Sequence, residues 1–399
     1  MIKVLVLSAD NDGVGYYRIL NPHLTMNDPE IECEIRLLSD ATIPLFDESF
    51  ISQYNIIFYN KAIPFREKAM ADRFYGLVKK YNIKLIYDID DYWILNNTHI
   101  NYKQWKESKS QERVEAVMKN ADAITTTTSL YADLLKKVNP DVHVLENAVN
   151  FDEQQWSSKK TESDKVRFIW GGGISHMPDL RLLKDEFKKF DKNFREKTQM
   201  YMCGFDLRVR MAGGKIGIDD GRRSAWGHFE SIFTNNYKYV NGGYSSFLMK
   251  FRDNGKFGVE PEFVDEFYQR RWTKAILEYG TMYNEADVSL SPLKDNHMFN
   301  YAKSQLKLIE AGAHHMPLIA SNYGPYTIDD IDGKKTGLQK GFLINESKPN
   351  WYEKMRWYAD NPNAVKEHGE NMYQYVKENY EINVINKKRA KLYKEIVKY

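Results

Sequence analysis

IKVLVLSADNDGVGYYRILNP, residues 2–22, decides the fold. Ile2, Val4, Leu5, Val6 and Leu7 form a run too continuous for a sheet with one wet face, so it predicts an interior parallel strand. Gly13 and Gly15 then allow a tight turn and a close backbone approach, and a helix is expected from about Tyr16. Backbone N–H groups at such a strand-to-helix exit attract phosphate. A G-x-G without a third glycine also marks ordinary βα turns, so more distant segments must decide between the two.

Composition narrows the class. With 399 residues, 42% hydrophobic and 28% charged, the chain is expected to form two globular domains, each with its own core. Cys33 and Cys203 are too few for a disulfide framework and suit a reducing compartment. A net charge of +2 excludes a uniformly basic nucleic-acid clamp and leaves room for a local basic face. No signal peptide or apolar run of spanning length is visible, so a cytoplasmic protein without integral membrane association is expected.

Working outward, short apolar runs alternate with amphipathic segments. NIIFYNK (55–61), IKLIYDIDD (83–91), DAITTTT (122–128) and VHVLENAV (142–149) read as strands, with REKAMADRFYGLVKKY and ERVEAVMKNA as helices between them. That alternation predicts a doubly wound parallel sheet over residues 1–155. DEQQWSSKKTESDK (152–165) lacks periodicity and reads as a linker. The pattern restarts over 165–374 with VRFIWGGG, MYMCGF, ADVSLSPL, MPLIAS and GFLI, and helices near 375–399 are expected to pack back on the first domain.

Two α/β units suggest a ligand between the carboxyl ends of their sheets. The second unit has its own glycine exit, Gly171, Gly172 and Gly173, followed by His176, which is either an exposed polar residue or a phosphate contact. In SPLKDNHMFNYAKSQLKLIEAGAHHMPLIAS (291–321) a helix is expected from about Tyr301 to Gly312, with Lys303, Lys307 and Glu310 on one face. Its positive end, with Lys303 and Ser304, suits a pyrophosphate, and Glu310 can accept two hydrogen bonds from vicinal ribose hydroxyls. A solvated face of Lys–Glu pairs is the alternative.

YDIDDYW (87–93) places Asp88, Asp90 and Asp91 at a strand end. They are candidates to bind acceptor hydroxyls or to take a proton, with Asp91 foremost; helix capping is the plain alternative. Arg18 can face phosphate, acceptor or solvent, and Tyr16 and Tyr17 can stack on an acceptor, though one of them is expected in the core. Between 205 and 275 lies an insertion in which basic residues, Arg222 and Arg223 among them, interleave with aromatics. That mixture suits nucleic acid, and an oligomer interface or donor lid produces it as well.

DGVGYYR, DAITTTTSLYADLL, VHVLENAVN, RFIWGGG, EADVSLSPL and KSQLKLIEAGAHHMPLIAS run through almost the whole chain, and together they resemble the GT-B glycosyltransferases, in particular the retaining family 4 group. The resemblance implies two facing Rossmann-like domains with an intervening cleft. It implies a nucleotide-diphosphate sugar, a UDP-sugar first, held mainly by the C-terminal domain as co-substrate, with no required metal. It also implies that Glu310 is the second glutamate of the family's Glu, seven residues, Glu motif. The first glutamate's position is Ala302, so sugar-hydroxyl contacts are expected from Asn300 and Lys303 instead. The 302–304 and 171–173 backbone N–H groups and Lys303 would stabilise the diphosphate, with Gly13 and Gly15 closing over it. The opening segment and YDIDDYW are also similar to phage-encoded glycosyltransferases that modify DNA, implying a hydroxymethylated base as acceptor and a host-cytoplasm location. A glycan or lipid-linked saccharide is the alternative acceptor, and a catalytically silent sugar- or nucleotide-binding module is the alternative of another class.

Overall fold

A computed structural model describes residues 1–40, 42–61, 68–97, 99, 101–205, 208–210, 216–218, 229, 232, 267–295, 297–328 and 340–398. The chain divides into two compact units. Unit 1 comprises Met1–Phe151, Asn296–Ile309 and Val376–Tyr399; unit 2 comprises Asp152–Asp295 and Glu310–Tyr375.

Unit 1 is built on β1 (Ile2–Ser8), β2 (Ile31–Leu37), β3 (Ile56–Asn60), β4 (Lys84–Asp88), β5 (Ala123–Thr126) and β6 (Val142–Val144). They form a parallel sheet in the order β2-β1-β3-β4-β5-β6. The unbroken apolar run of β1 has a direct cause. Leu5 and Leu7 point into a core shared with Phe74, Leu77 and Val117 of the helices Lys68–Lys80 and Ser110–Asn120. Val4 and Val6 point the other way, against Ala390, Leu392 and Tyr393 of the last helix, Ile382–Ile396. Both faces are therefore dry, and each such side chain contributes about 1.5–3 kcal/mol. The terminal helix thus belongs to unit 1, tied in further where Ile382 N–H donates to Val149 O at 2.8 Å.

Unit 2 contains β7 (Val166–Gly171), β8 (Thr198–Phe205), β9 (Arg208–Arg210), β10 (Ile216–Ile218), β11 (Tyr268–Trp272), β12 (Val288–Ser291), β13 (Leu318–Ser321) and β14 (Leu343–Ile344). Six of them form a parallel sheet in the order β11-β8-β7-β12-β13-β14, while β9 and β10 pair antiparallel. Strand β7 repeats the logic of β1: Phe168 and Trp170 enter one core, Ile169 the other.

Each sheet reverses its direction of winding beside its first strand, between β1 and β3 in unit 1 and between β7 and β12 in unit 2. The carboxyl ends of strands at such a reversal diverge and leave room for a ligand. Both glycine turns lie at these points.

Four sequence expectations need correction. Strand β11 lies inside the expected 205–275 insertion and is a sheet strand, so the insertion ends before it. Strand β2 was not anticipated. The supposed linker 152–165 carries a short helix, Gln154–Ser157, whose Gln155 and Trp156 are buried, with Gln155 Oε1 accepting from Gly280 N–H at 2.9 Å. The single helix expected from Tyr301 to Gly312 is two pieces, Met298–Tyr301 and Leu306–Ala313, so Lys303 precedes the second helix instead of lying on its face.

Candidate functional site

The β1 exit is acidic. Gly13 has φ +42°, a conformation that favours glycine, and a Cβ on Gly15 would collide with the carbonyl and carboxylate oxygens of Asp10. The turn is held from within: Ser8 Oγ donates to Asp10 O at 2.6 Å, Gly13 N–H to Asp12 Oδ1 at 2.8 Å, and Lys61 Nζ pairs with Asp10 Oδ2 at 2.7 Å. With Asp10 and Asp12 in the turn and the Gly13 N–H occupied, the two glycines serve the turn's own geometry.

Helix entry follows at once, as a π-helical turn over Gly15–Leu20. Tyr16 is half-buried, whereas Tyr17 and Arg18 are buried. Arg18, 1% exposed, forms a two-pronged pair with Asp88: Nε donates to Oδ1 at 3.0 Å and an Nη to Oδ2 at 2.6 Å. Thr125 Oγ1 donates to the same carboxylate at 2.7 Å. The second Nη donates to Leu145 O at 2.5 Å and reaches Asn147 Oδ1 at 3.4 Å. Arg18, Asp88 and Tyr17 are therefore core residues, not acceptor contacts; an isolated buried charge would be very costly, and each charge here supplies the other's compensation.

Above this pair lie Asp90, half-buried, and Asp91, exposed. Burial, with Asp91 and Asp88 close by, pushes the Asp90 carboxyl from its ordinary 3.8 up to about 7, while Arg18 and Lys303 oppose the shift. A carboxyl that titrates near neutrality can take and release a proton, so Asp90 is better suited than Asp91 to act as a base. Asp91 instead lies 3.9 Å from Lys303 Nζ.

The segment 297–313 carries the other candidates. Lys303 Nζ lies 4.7 Å from the centre of the Phe299 ring, and Asn300 is buried. Ala302 is fully buried in the unit 1 core, where a glutamate would find no water. Backbone donors at 302 and 303 are occupied, by Met298 O at 3.0 Å and Asn300 O at 3.3 Å, which corrects their assignment to phosphate. Leu308 and Ile309 N–H both donate to Gln305 O, at 2.9 and 3.1 Å, so the positive end of the helix lies at residues 304–306. Half-buried Ser304 is there, its Oγ accepting from Asn147 Nδ2 at 2.9 Å.

In unit 2, Glu310 is 1% exposed and its Oε2 accepts from Tyr283 Oη at 2.7 Å. The Tyr283 ring stacks on His314 at 5.5 Å, and burial lowers His314 to about 3, keeping it neutral. Tyr283 thereby fixes the Glu310 carboxyl. At the β7 exit, Gly171 and Gly172 are half-buried and Gly173 is exposed, with open space where a Cβ would stand. Gly172 N–H donates to Cys203 O at 3.2 Å and is not a phosphate donor. His176 Nδ1 meets Asp179 Oδ2 at 3.0 Å, and buried Asp179 also accepts from Lys294 N–H at 2.9 Å, so the imidazole is held in place.

Arg222 and Arg223 lie outside the described residues, as does most of the basic and aromatic stretch around them. Sequence reading missed Asn147, Tyr283 and Asp179. A polar Asn in the apolar context of VLENAV was a signal for the first; the others act over sequence distance and left none. Among the described residues no three His, Cys, Asp or Glu side chains are grouped to hold a metal ion, and no helix is long and apolar enough to cross a membrane.

This architecture recurs in solved structures. An α-glucosyltransferase in complex with UDP and a 13-mer DNA containing an HMU base is similar over 100% of both chains, with TM-score 0.58 and 12% identity. The fold is GT-B. HepE of Anabaena in complex with UDP-glucose matches at TM-score 0.55 and 10% identity, covering 99% of this chain and 100% of its own. The trehalose 6-phosphate synthase of Burkholderia multivorans matches at 0.54 and 9%, covering 99% and 97%. No family model and no curated protein sequence matches the chain. At such identities the GT-B likeness concerns backbone architecture, and chemistry has to come from the residues.

Proposed function

We propose that the protein is a glycosyltransferase that moves a sugar from a UDP-sugar to a hydroxyl on a hydroxymethylated base in DNA. The observation that carries the reading is Glu310. A buried carboxyl oriented by Tyr283, one turn into a helix whose positive end holds Ser304 and follows Lys303, suits a nucleoside diphosphate: ribose hydroxyls on the carboxyl, diphosphate at the helix start. Binding of UDP or UDP-glucose by proteins of the same GT-B fold supports the nucleotide.

In the reaction the acceptor hydroxyl oxygen bonds to the anomeric carbon as the bond from that carbon to the diphosphate oxygen breaks. The electron pair leaves with UDP, and the hydroxyl proton passes to Asp90. Lys303, Ser304 and the helix dipole stabilise the charge that develops on the leaving group. Retention of configuration is the expected outcome and requires the acceptor oxygen to approach from the face that the diphosphate leaves; Ala302 means that sugar-hydroxyl contacts come from elsewhere, with Asn300 and Lys303 as candidates. His176 and Gly173 complete the donor-side set; Tyr16 and Asp91 complete the acceptor side.

The DNA acceptor rests on the basic and aromatic composition of 205–267 and on the DNA bound by the α-glucosyltransferase of like fold. An enzyme reaches such a hydroxyl within a duplex only when the base is flipped out of the stack. The test is mass spectrometry of oligonucleotides with and without a hydroxymethylated pyrimidine after incubation with UDP-glucose and other UDP-sugars. Addition of one sugar to the hydroxymethylated strand alone is expected. Donor breakdown without DNA modification would redirect the acceptor to a saccharide, and an inert donor would leave only a binding module.

A further inference from the structure

We propose that Asn147 is a positioning residue that aims the Ser304 hydroxyl, as a hydrogen-bond donor, at the diphosphate of the bound nucleotide. The inference rests on the donor site proposed above and adds to it a device that the donor residues alone do not reveal. Asn147 is buried between two partners of opposite demand. On one side the Arg18 Nη group, which can only donate, reaches its Oδ1 at 3.4 Å. On the other side its Nδ2, which can only donate, lies 2.9 Å from Ser304 Oγ. Arg18 therefore settles which way the Asn147 amide faces, and that orientation obliges Ser304 to accept.

A serine hydroxyl that accepts from one neighbour keeps its own proton for another direction. No acceptor for that proton occurs among the described residues, and Ser304 stands where the helix Leu306–Ala313 begins, half-buried and next to Lys303. An anionic oxygen brought to this helix start meets a donor already turned toward it, with no reorganisation on binding. The chain of contacts also gives the buried Arg18–Asp88 pair a task beyond the core. Held by Asp88, which Thr125 fixes in turn, and by the Leu145 carbonyl, Arg18 cannot swing away from Asn147, so polarity at the sheet's interior sets the polarity of a hydroxyl at the site.

The decisive variant is Asn147→Asp. An aspartate keeps the shape and gives Arg18 a better acceptor, but it cannot donate; Ser304 must then donate to it and turn its proton away from the ligand. A merely structural Asn147 would tolerate that change. UDP affinity is measured by calorimetry, with thermal melting in parallel, for the wild type, Asn147→Asp, Ser304→Ala, Ser304→Thr and the double variant Asn147→Asp/Ser304→Ala. Asn147→Asp is expected to melt no lower than the wild type yet bind UDP about tenfold or more weakly. Ser304→Ala should show a similar loss, Ser304→Thr should restore most of it, and the double variant should be no worse than Ser304→Ala alone. That last result separates loss of the donor from simple repulsion by the new carboxylate, which would make the double variant worse. A wild type that binds UDP, with Asn147→Asp and Ser304→Ala binding equally well, overturns this inference and leaves the donor site standing. A wild type that does not bind UDP or a UDP-sugar overturns both.

Discussion

Both units run a first strand into a glycine-bearing turn where the strand order reverses, and they equip that turn with opposite chemistry. In unit 1 the turn contains Asp10 and Asp12, its Gly13 N–H is occupied, and the end of β4, two strands away, adds Asp90 and Asp91. In unit 2 the turn is three glycines with His176 behind them, and no carboxylate stands within the turn. The same place in the topology thus carries carboxylates in one unit and bare glycines in the other. Topology supplies the place for a ligand; side chains choose its charge.

The contrast extends one layer deeper. Behind the unit 1 turn lies a buried ion pair, Arg18 with Asp88; the buried Glu310 of unit 2 accepts from a neutral hydroxyl, that of Tyr283. The largest effect is therefore expected at Arg18. Arg18→Leu leaves the Asp88 carboxylate buried without its guanidinium and should cost about 3–5 kcal/mol in denaturant unfolding, with the double variant Arg18→Leu/Asp88→Leu much less affected. Tyr283→Phe in unit 2 should cost only about 1–2 kcal/mol. Equal losses at the two sites would break the comparison.

Next in size is Glu310→Ala, which should weaken UDP by about a hundredfold through two lost hydrogen bonds to a carboxyl, read by calorimetry, with a smaller change in melting. The glycines then sharpen the contrast between the exits. Gly15→Ala forces a methyl against Asp10 and should destabilise by about 1–3 kcal/mol, whereas Gly173→Ala enters open space and should leave unfolding within about 0.5 kcal/mol of the wild type. A drop in UDP affinity in Gly173→Ala without a change in stability would mark close approach of a ligand there.

One further effect is pH-dependent. Because the folded protein raises the Asp90 carboxyl from 3.8 to about 7, the native state favours its protonated form. That contribution to stability is fully present below the ordinary carboxylate value and is lost as pH rises through about 7. Asp90→Asn should abolish this part of the pH dependence, so its melting temperature gains on the wild type by a few degrees above neutrality and not at pH 4. Sugar transfer by the wild type should rise through the same interval, as a base must be ionised to accept a proton, and Asp90→Asn should lose that rise.

Much of the fold was legible because buried parallel strands are written as continuous apolar runs: β1, β3, β4, β7 and β13 could be read directly. Strand β2 escaped because IECEIRL alternates charge with apolar residues at a sheet edge, and β11 because YQRRW carries two arginines amid an irregular stretch. The site was legible only in part. Lys303, Ser304 and Glu310 announce themselves by local spacing, and the acidic cluster by density. Partnership is non-local: nothing in GYYR says that Arg18 will meet Asp88 seventy positions on, and nothing near Glu310 points to Tyr283. Asp90 and Asp91 are adjacent in sequence, and nothing in that adjacency shows that burial beside Asp91 and Asp88 will push the Asp90 carboxyl up to about 7.

The most direct test is a crystal structure with UDP bound. The account predicts ribose hydroxyls within hydrogen-bond distance of the Glu310 carboxyl and diphosphate oxygens at Ser304 Oγ and Lys303 Nζ. Nucleotide density elsewhere, with Glu310 still engaged by Tyr283 and no contact to the pentose, would contradict it.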